Sequence, residues 1–211
     1  MNRPRPTLLY HFTHIDNLRS IIDDGLWSDS EVSASLLEVN VGDQGVKERR
    51  RRRIVPVPPG GVTADYVPFY FAPQSPMMYV ISRDRVDGYS GGLDPLVYIV
   101  TTPKAIVATG GVVVISDGNC ASRFTTFCSD IDELDDLVDW EVMDEQYWHD
   151  TEDDGDRKRR RQAELLVHRH VPWSAVTQLA TRTKPMLNRV RAILSGAGVD
   201  LPVKHQQDWY Y

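Results

Sequence analysis

The chain has 211 residues, 41% of them apolar, and a formal net charge of −6, which is enough chain for one domain with a complete core. It has no run of about 18 apolar residues that could span a membrane, no apolar signal region in Met1–Pro6, and only Cys120 and Cys128 as thiols, too few for a disulfide framework or a thiolate zinc site. A single domain over residues 1–211 in a reduced, cytoplasmic compartment is therefore expected.

Leu8–Phe12 reads as a short buried strand. Thr13-x-x-Asp16 then opens a helix whose buried stripe is Ile15, Leu18, Ile21 and Ile22, and Gly25 stops it. From Leu26 to Asp65 periodicity is weak, and Pro56–Gly61 closes the stretch. So long a connection in a compact domain is usually a functional lid or an insertion; short helices near Ser33–Leu37 and Val46–Arg52 are expected inside it. Tyr66–Phe71 returns to strand, and Ser75-Pro76 is an N-cap followed by proline at the first helical position. Strands follow at Leu96–Thr101 and Val112–Ile115, then helices at Ile131–Val138 and Glu141–Trp148, a charged loop over Asp150–Arg161, and a strand at Glu164–His168. A strand near Val176–Ala180, a helix near Pro185–Ser195 and a packed aromatic tail, Trp209–Tyr211, end the chain. Strands with peripheral helices make an α+β fold.

The net charge argues mildly against nucleic acid, but its distribution argues the other way. Arg49–Arg53 is five consecutive arginines and Arg157–Arg161 is a second basic pentad, against acid concentrated at Asp130–Glu145 and Asp150–Asp156. Such runs are usually solvated faces; two of them beside candidate site residues suit phosphate groups instead. Glu164 heads an apolar strand, where a carboxylate is costly unless it faces a cleft, and Gln162 shares its face. In Tyr66–Phe71, Phe69 and Phe71 share one face and Tyr66, Pro68 and Tyr70 the other; which ring serves a ligand is left open. His168 and His170 share a face but lack a third ligand, so no metal site is expected. No Walker loop, GxGxxG or Gly-x-Ser-x-Gly element is present.

Tyr10-His11-Phe12-Thr13, Tyr70-Phe71-Ala72 with Ser75, and Gln162-Ala163-Glu164, in this order, resemble the His–Tyr–Glu layout of ADP-ribosyltransferases, in which strand-borne residues line one NAD cleft. Together with Tyr10–Leu18, the arginine run before Val55-Pro56, Asp65–Ala72, Ser75–Tyr79, Ser116–Asn119 and Ala163–Val167, they are similar over essentially the whole chain to the DarT family of bacterial toxins, which ADP-ribosylate single-stranded DNA.

The resemblance implies an ADP-ribosyltransferase-like fold whose central strands form the NAD cleft. Segment 26–65 would cover the NAD and segment 149–163 would be the turn–turn loop facing the second substrate. NAD is implied as co-substrate, without a metal. The implied acceptor is thymine N3 in single-stranded DNA, in a short sequence context, and the implied partner is a macrodomain antitoxin, DarG, that reverses the mark. Its catalytic glutamate falls on Glu164 and its catalytic arginine within Arg49–Arg53, with Arg51 first and Arg50 next. NAD contacts fall on His11, Phe12, Thr13, Asn17, Tyr70 and Ser75, together with Arg51. DNA contacts fall on Arg50, His149, Arg157, Arg159 and Gln162. Transfer to guanine or to a protein, or simple NAD hydrolysis, would use the same cleft residues; a non-enzymatic nucleic-acid-binding domain fits poorly with Glu164 and the negative net charge.

Overall fold

A computed structural model describes residues 3–32 and 36–211. Its centre is an eight-stranded sheet. In chain order the strands of this sheet are β1 (Leu9–His14), β3 (Tyr66–Tyr70), β4 (Leu96–Thr101), β5 (Val113–Ser116), β6 (Phe127–Cys128), β7 (Glu164–His168), β9 (Gln178–Thr181) and β10 (Val203–His205). They lie side by side as β10-β9-β4-β1-β3-β7-β5-β6, and a two-stranded sheet pairs β2 (Leu26–Trp27) with β8 (His170–Val171). The helices are α1 (Leu18–Asp24), α2 (Gln44–Arg52), α3 (Pro76–Ser82), α4 (Pro103–Ala108), α5 (Leu134–Leu137), α6 (Trp140–Asp144), α7 (Arg157–Arg160) and α8 (Lys184–Gly196). Among the described residues no helix is long and apolar enough to cross a membrane.

Local chemistry accounts for most boundaries. Ser75 accepts from the Met78 N–H with Pro76 at the first turn of α3, and Thr102 and Thr183 do the same before Pro103 and Pro185. Gly25 ends α1 at φ +78°, and a side chain there would collide with His170 and the Val171 carbonyl. Thr13 does not start the first helix as expected. The strand runs on to His14, whose ring caps a 3-10 turn over Ile15–Asn17. Ladder hydrogen bonds to β4 hold Thr13 extended, from Leu9↔Thr101 to His14↔Leu96. The expected Ser33–Leu37 helix lies partly outside the described residues; Leu36 and Leu37 are not helical. His168 and His170 do not share a strand face, because Arg169 between them takes φ +65° and ends β7.

The two faces of the sheet differ. One carries a continuous core from Leu9, Val67, Phe69, Val97, Ile99, Ile115, Leu165 and Val167, covered by α1, α4, α8 and the α5–α6 segment. The other is divided. Tyr10, Leu96, Tyr98 and Val100 pack under α3 and Tyr210, while Tyr66, Val114, Leu166 and Phe127 form a separate cluster with Val55.

The sheet itself opens where those clusters part. β1 pairs with β4 over six residues, but with β3 at Tyr10↔Tyr70 alone. The Pro68 carbonyl turns toward β1, where His11 Nδ1 binds it at 2.9 Å. A strand residue's N–H and C=O point to the same side, so the N–H that proline lacks is one that would have faced β1. Pro68 therefore cannot continue the ladder, and an imidazole occupies the place of a strand–strand hydrogen bond.

Candidate active site

The split between β1 and β3 opens a cavity of about 470 Å³, within the range of about 300–1,000 Å³ usual for small-molecule and cofactor sites. His11, Phe12 and Thr13 all line it. Successive side chains of a strand inside a continuous sheet point to opposite faces, so three neighbours can share one cavity only because the sheet is open here. Tyr66, Pro68 and Tyr70 line it from β3, whereas Phe69 and Phe71 belong to the core. That settles which rings of the aromatic strand meet the cleft.

At the cavity floor Glu164 begins β7 directly across from Tyr70. Its carboxylate Oε2 accepts from Arg50 Nη1 at 2.9 Å, and the two side chains are 5% and 15% exposed. Arg50 also donates to the Thr63 carbonyl at 3.2 Å, while the Thr63 hydroxyl donates to the Arg50 carbonyl at 3.0 Å. Burial opposes the charge on Arg50, but the ion pair and hydrogen bond to Glu164 outweigh it, and the guanidinium is held above its ordinary pKa. A buried ion pair of this kind is held together by its mutual neutralisation; either partner alone would be an uncompensated charge. The Glu164 N–H donates to Ser116 Oγ at 3.0 Å, and that hydroxyl donates to the Gly118 carbonyl at 2.9 Å, which fixes the start of β7. Tyr70 stays a neutral phenol: burial raises its pKa, and the adjacent Glu164 raises it further. His11 is held neutral, lowered first by burial and also by Arg50, against a raising contribution from the Pro68 bond. With Nδ1 donating to a carbonyl, its Nε2 is an acceptor.

Arg50, the second choice within the arginine run, is therefore the one that reaches Glu164. Arg51 points away, 52% exposed, and pairs with Asp29 at 2.9 Å. A helix turns about 100° per residue, so five adjacent arginines on and after α2 radiate in different directions. Arg52 pairs with Glu48, Arg53 lies over the Phe127 ring at 5.3 Å and donates to the Cys120 carbonyl, and Arg49 faces the cavity without an ion pair among the described residues. Asn17, expected to touch NAD, lines the cavity and is held in place by the protein. Its amide brackets the Val39 backbone, donating to O at 2.8 Å and accepting from N at 2.9 Å, and donates to Thr13 Oγ1 at 3.0 Å. Ser75 is buried as the α3 cap and does not line the cavity.

The second basic pentad is largely neutralised within the chain. Arg159 binds Asp117 and Asp156, Arg160 binds Asp139 and Asp154, and Arg157 lies 3.5 Å from Glu145. Arg161 is buried and donates to the carbonyls of Val142, Met143, Glu145 and Pro73. Gln162 does line the cavity; it accepts from Asn119 Nδ2 at 2.7 Å and donates to the Lys158 carbonyl at 2.8 Å. His149 is exposed beside Trp148, ring centroids 5.2 Å apart. Sequence reasoning missed Thr63, which sits in a 3-10 turn with no periodic signal, and it counted Ser116–Asn119 toward the family resemblance without giving Ser116 or Asn119 a role.

Residues 10–211 match the family model described as "ssDNA thymidine ADP-ribosyltransferase, DarT". The chain is 38% identical over 200 residues to a DNA ADP-ribosyl transferase of Mycobacterium tuberculosis, covering 93% of this chain and 85% of that one. It superposes on the Thermus sp. 2.9 DarT in complex with ADP-ribosylated ssDNA with a TM-score of 0.91, at 34% identity and over 100% of both chains. The complex of that Thermus protein with NAD+ gives 0.87 over 99% of both, at 33% identity. A third relative, from Thermosipho africanus, is a DNA ADP-ribosyl transferase–DNA ADP-ribosyl glycohydrolase fusion protein, 30% identical over 167 residues, covering 78% of this chain and 39% of the fusion.

Proposed function

The chain belongs to the DarT family of single-stranded-DNA thymidine ADP-ribosyltransferases, and from that premise we propose how its own side chains carry out the reaction. It is an NAD-dependent enzyme that transfers ADP-ribose to single-stranded DNA, with thymine as the acceptor base, and releases nicotinamide. One observation carries the assignment of residues: the buried Glu164–Arg50 pair, faced by Tyr70, at the floor of the cleft that the β1–β3 split opens.

The glycosidic bond between nicotinamide and ribose breaks first. Nicotinamide leaves with the bonding electron pair and becomes neutral, and the ribose carbon takes on oxocarbenium character. Glu164 supplies the fixed negative charge that stabilises this cation. The neutral Tyr70 ring offers its face to the departing nicotinamide. His11, with Nδ1 bound to Pro68, presents Nε2 to a ribose hydroxyl. Thymine N3 then forms the new bond to the ribose carbon as its N–H bond breaks and the proton passes to the Glu164 carboxylate. An arginine holds its own proton too firmly to be that base. Arg50 instead stabilises the negative charge developing on the thymine oxygens, and Arg49 is free to meet the pyrophosphate. N3 lies on the pairing edge of the base, which is why an unpaired strand is the substrate.

The remaining assignments rest on the same reading. Segment 26–65 covers the bound NAD, and segment 149–163, through Gln162, faces the DNA. The Thermosipho fusion joins transfer and removal in one chain, which supports a macrodomain glycohydrolase partner for this one. Both substrates are intracellular, which supports a cytoplasmic site of action. The test is mass spectrometry of a mixed-sequence single-stranded oligonucleotide after incubation with NAD. One ADP-ribose on a thymine, absent with the duplex, is expected; NAD turnover with adducts on protein only, or with free ADP-ribose only, would refute the reading.

A further inference from the structure

The loop that joins β5 to β6, residues 117–126, is held along its length. Asp117 Oδ1 accepts from the Thr126 N–H at 2.9 Å, Asn119 Oδ1 from Ala121 at 2.8 Å, and Ser122 Oγ from Phe124 at 3.2 Å. The Thr125 hydroxyl donates to the Asn119 carbonyl at 2.6 Å, and Arg159 reaches both Asp117 at 2.9 Å and Thr125 Oγ1 at 3.4 Å. Arg53 donates to the Cys120 carbonyl from the other side. A loop pinned at this many points presents its tip in one arrangement.

At that tip Phe124 is 70% exposed. The Arg123 guanidinium stands 4.8 Å from its ring centroid and has no ion pair among the described residues. Single exposed apolar residues are common and need no explanation. This one differs in three respects: its loop is fixed, a free cation lies against the ring, and the same loop lines the cleft. Asn119 and Ala121 are cavity residues, and Asn119 is hydrogen-bonded to Gln162, two residues from Glu164. Three residues of extended chain span at most about 11 Å, so Phe124 lies within that distance of Ala121 in the cleft lining.

We propose that Phe124, with Arg123, is a stacking platform for a base of the DNA strand next to the reacting thymine. One ring face takes the base, and the guanidinium meets the phosphate linking that base to its neighbour. An aromatic ring beside a cation is the combination that binds single strands with tolerance of sequence, since every base has a π face. The thymine is drawn into the cleft, so its neighbour loses a stacking partner; Phe124 replaces it. This rests on the DNA-modifying reading above.

Steady-state kinetics with a single-stranded oligonucleotide tests it. Phe124→Ala should raise KM for the oligonucleotide about tenfold or more, and Phe124→Trp should stay within about twofold of the parent. NAD affinity by calorimetry and the melting temperature should not change. Val112→Ala, one residue before β5 and also exposed, should be silent. Oligonucleotides lacking one base at a time on either side of the target locate the contact. The parent protein should lose affinity at one position, and Phe124→Ala should show no further loss there. Unchanged oligonucleotide KM in Phe124→Ala, or an equal loss at every abasic position in both proteins, overturns the platform while leaving DNA modification standing. A parent protein that modifies no oligonucleotide overturns the underlying reading and the platform with it.

Discussion

Glu164 and Arg50 form one unit, and their substitutions should separate by what is left behind. Glu164→Ala should lower DNA modification about 10²–10³-fold, the usual cost of losing a fixed electrostatic contact in a transition state; near-parental transfer by folded protein would remove Glu164 from the reaction. Arg50→Ala should lose transfer and also about 3–5 kcal/mol of stability, because it leaves a buried carboxylate unpaired. Arg51→Ala breaks an exposed pair with Asp29 and should change stability by no more than about 1 kcal/mol, with transfer retained. Loss of transfer in Arg51→Ala with retention in Arg50→Ala would reverse this assignment. His11 makes a pH prediction. Its pKa is lowered in the folded state, first by burial, so folding favours its neutral form. That contribution is complete above about pH 6.5, where an unfolded histidine is also neutral, and is lost as the pH falls below it. Unfolding free energies at neutral and mildly acid pH should therefore fall less steeply in His11→Asn than in the parent; equal slopes would show that His11 is not held neutral.

The element that matters most is α2. It supplies Arg50 to the cleft floor, and the Asp29 carboxylate, which also lines the cleft, binds Lys47 at 2.7 Å and Arg51 at 2.9 Å. The chain between them is tied to α1 through the bonds from Asn17 to Val39 and from Ser20 to the Leu36 carbonyl. A cover over bound NAD would exclude the water that competes for the oxocarbenium carbon. Asp29→Ala frees two cations and should loosen that cover, raising NAD hydrolysis relative to DNA transfer. Backbone hydrogen exchange over 44–53 should slow on adding NAD in the parent and slow less in the variant. Exchange that ignores NAD in both would mean that α2 is a fixed wall of the cleft.

Over the whole molecule, the basic runs do not form one positive surface. Arg157, Arg159 and Arg160 face acidic partners, and Arg161 is buried among carbonyls. Among the described residues, Arg49 in the cleft lining and Arg123 on the β5–β6 loop have no ion pair. With Arg49 given to the NAD pyrophosphate and Arg123 to a DNA phosphate, DNA affinity should depend on salt only weakly, with a slope of log K against log salt of about −1 on a single strand. A slope steeper than about −4 would require the pentad to leave its carboxylates and bind DNA.

The sequence by itself determined the elements whose signals are local. The caps at Ser75-Pro76, the stop at Gly25 and the strands Leu96–Thr101 and Glu164–His168 all stand where their residues put them. The ordered resemblance of the His11, Tyr70 and Glu164 segments pointed to the family for the same reason, since each segment keeps its own short pattern. Tertiary structure alone decided which arginine meets Glu164. Five identical neighbours carry no distinguishing signal, and the choice follows from the angle at which α2 docks against Thr63. It also decided that Ser75 serves the scaffold, and that Arg157, Arg159 and Arg160 of the basic pentad are paired with acid brought together from three stretches of chain. The opening of the sheet lies between the two. Pro68 is visible in the sequence, but that its missing N–H faces β1, and so makes a cleft where a ladder would otherwise run, is set by register, which depends on contacts far apart in the chain.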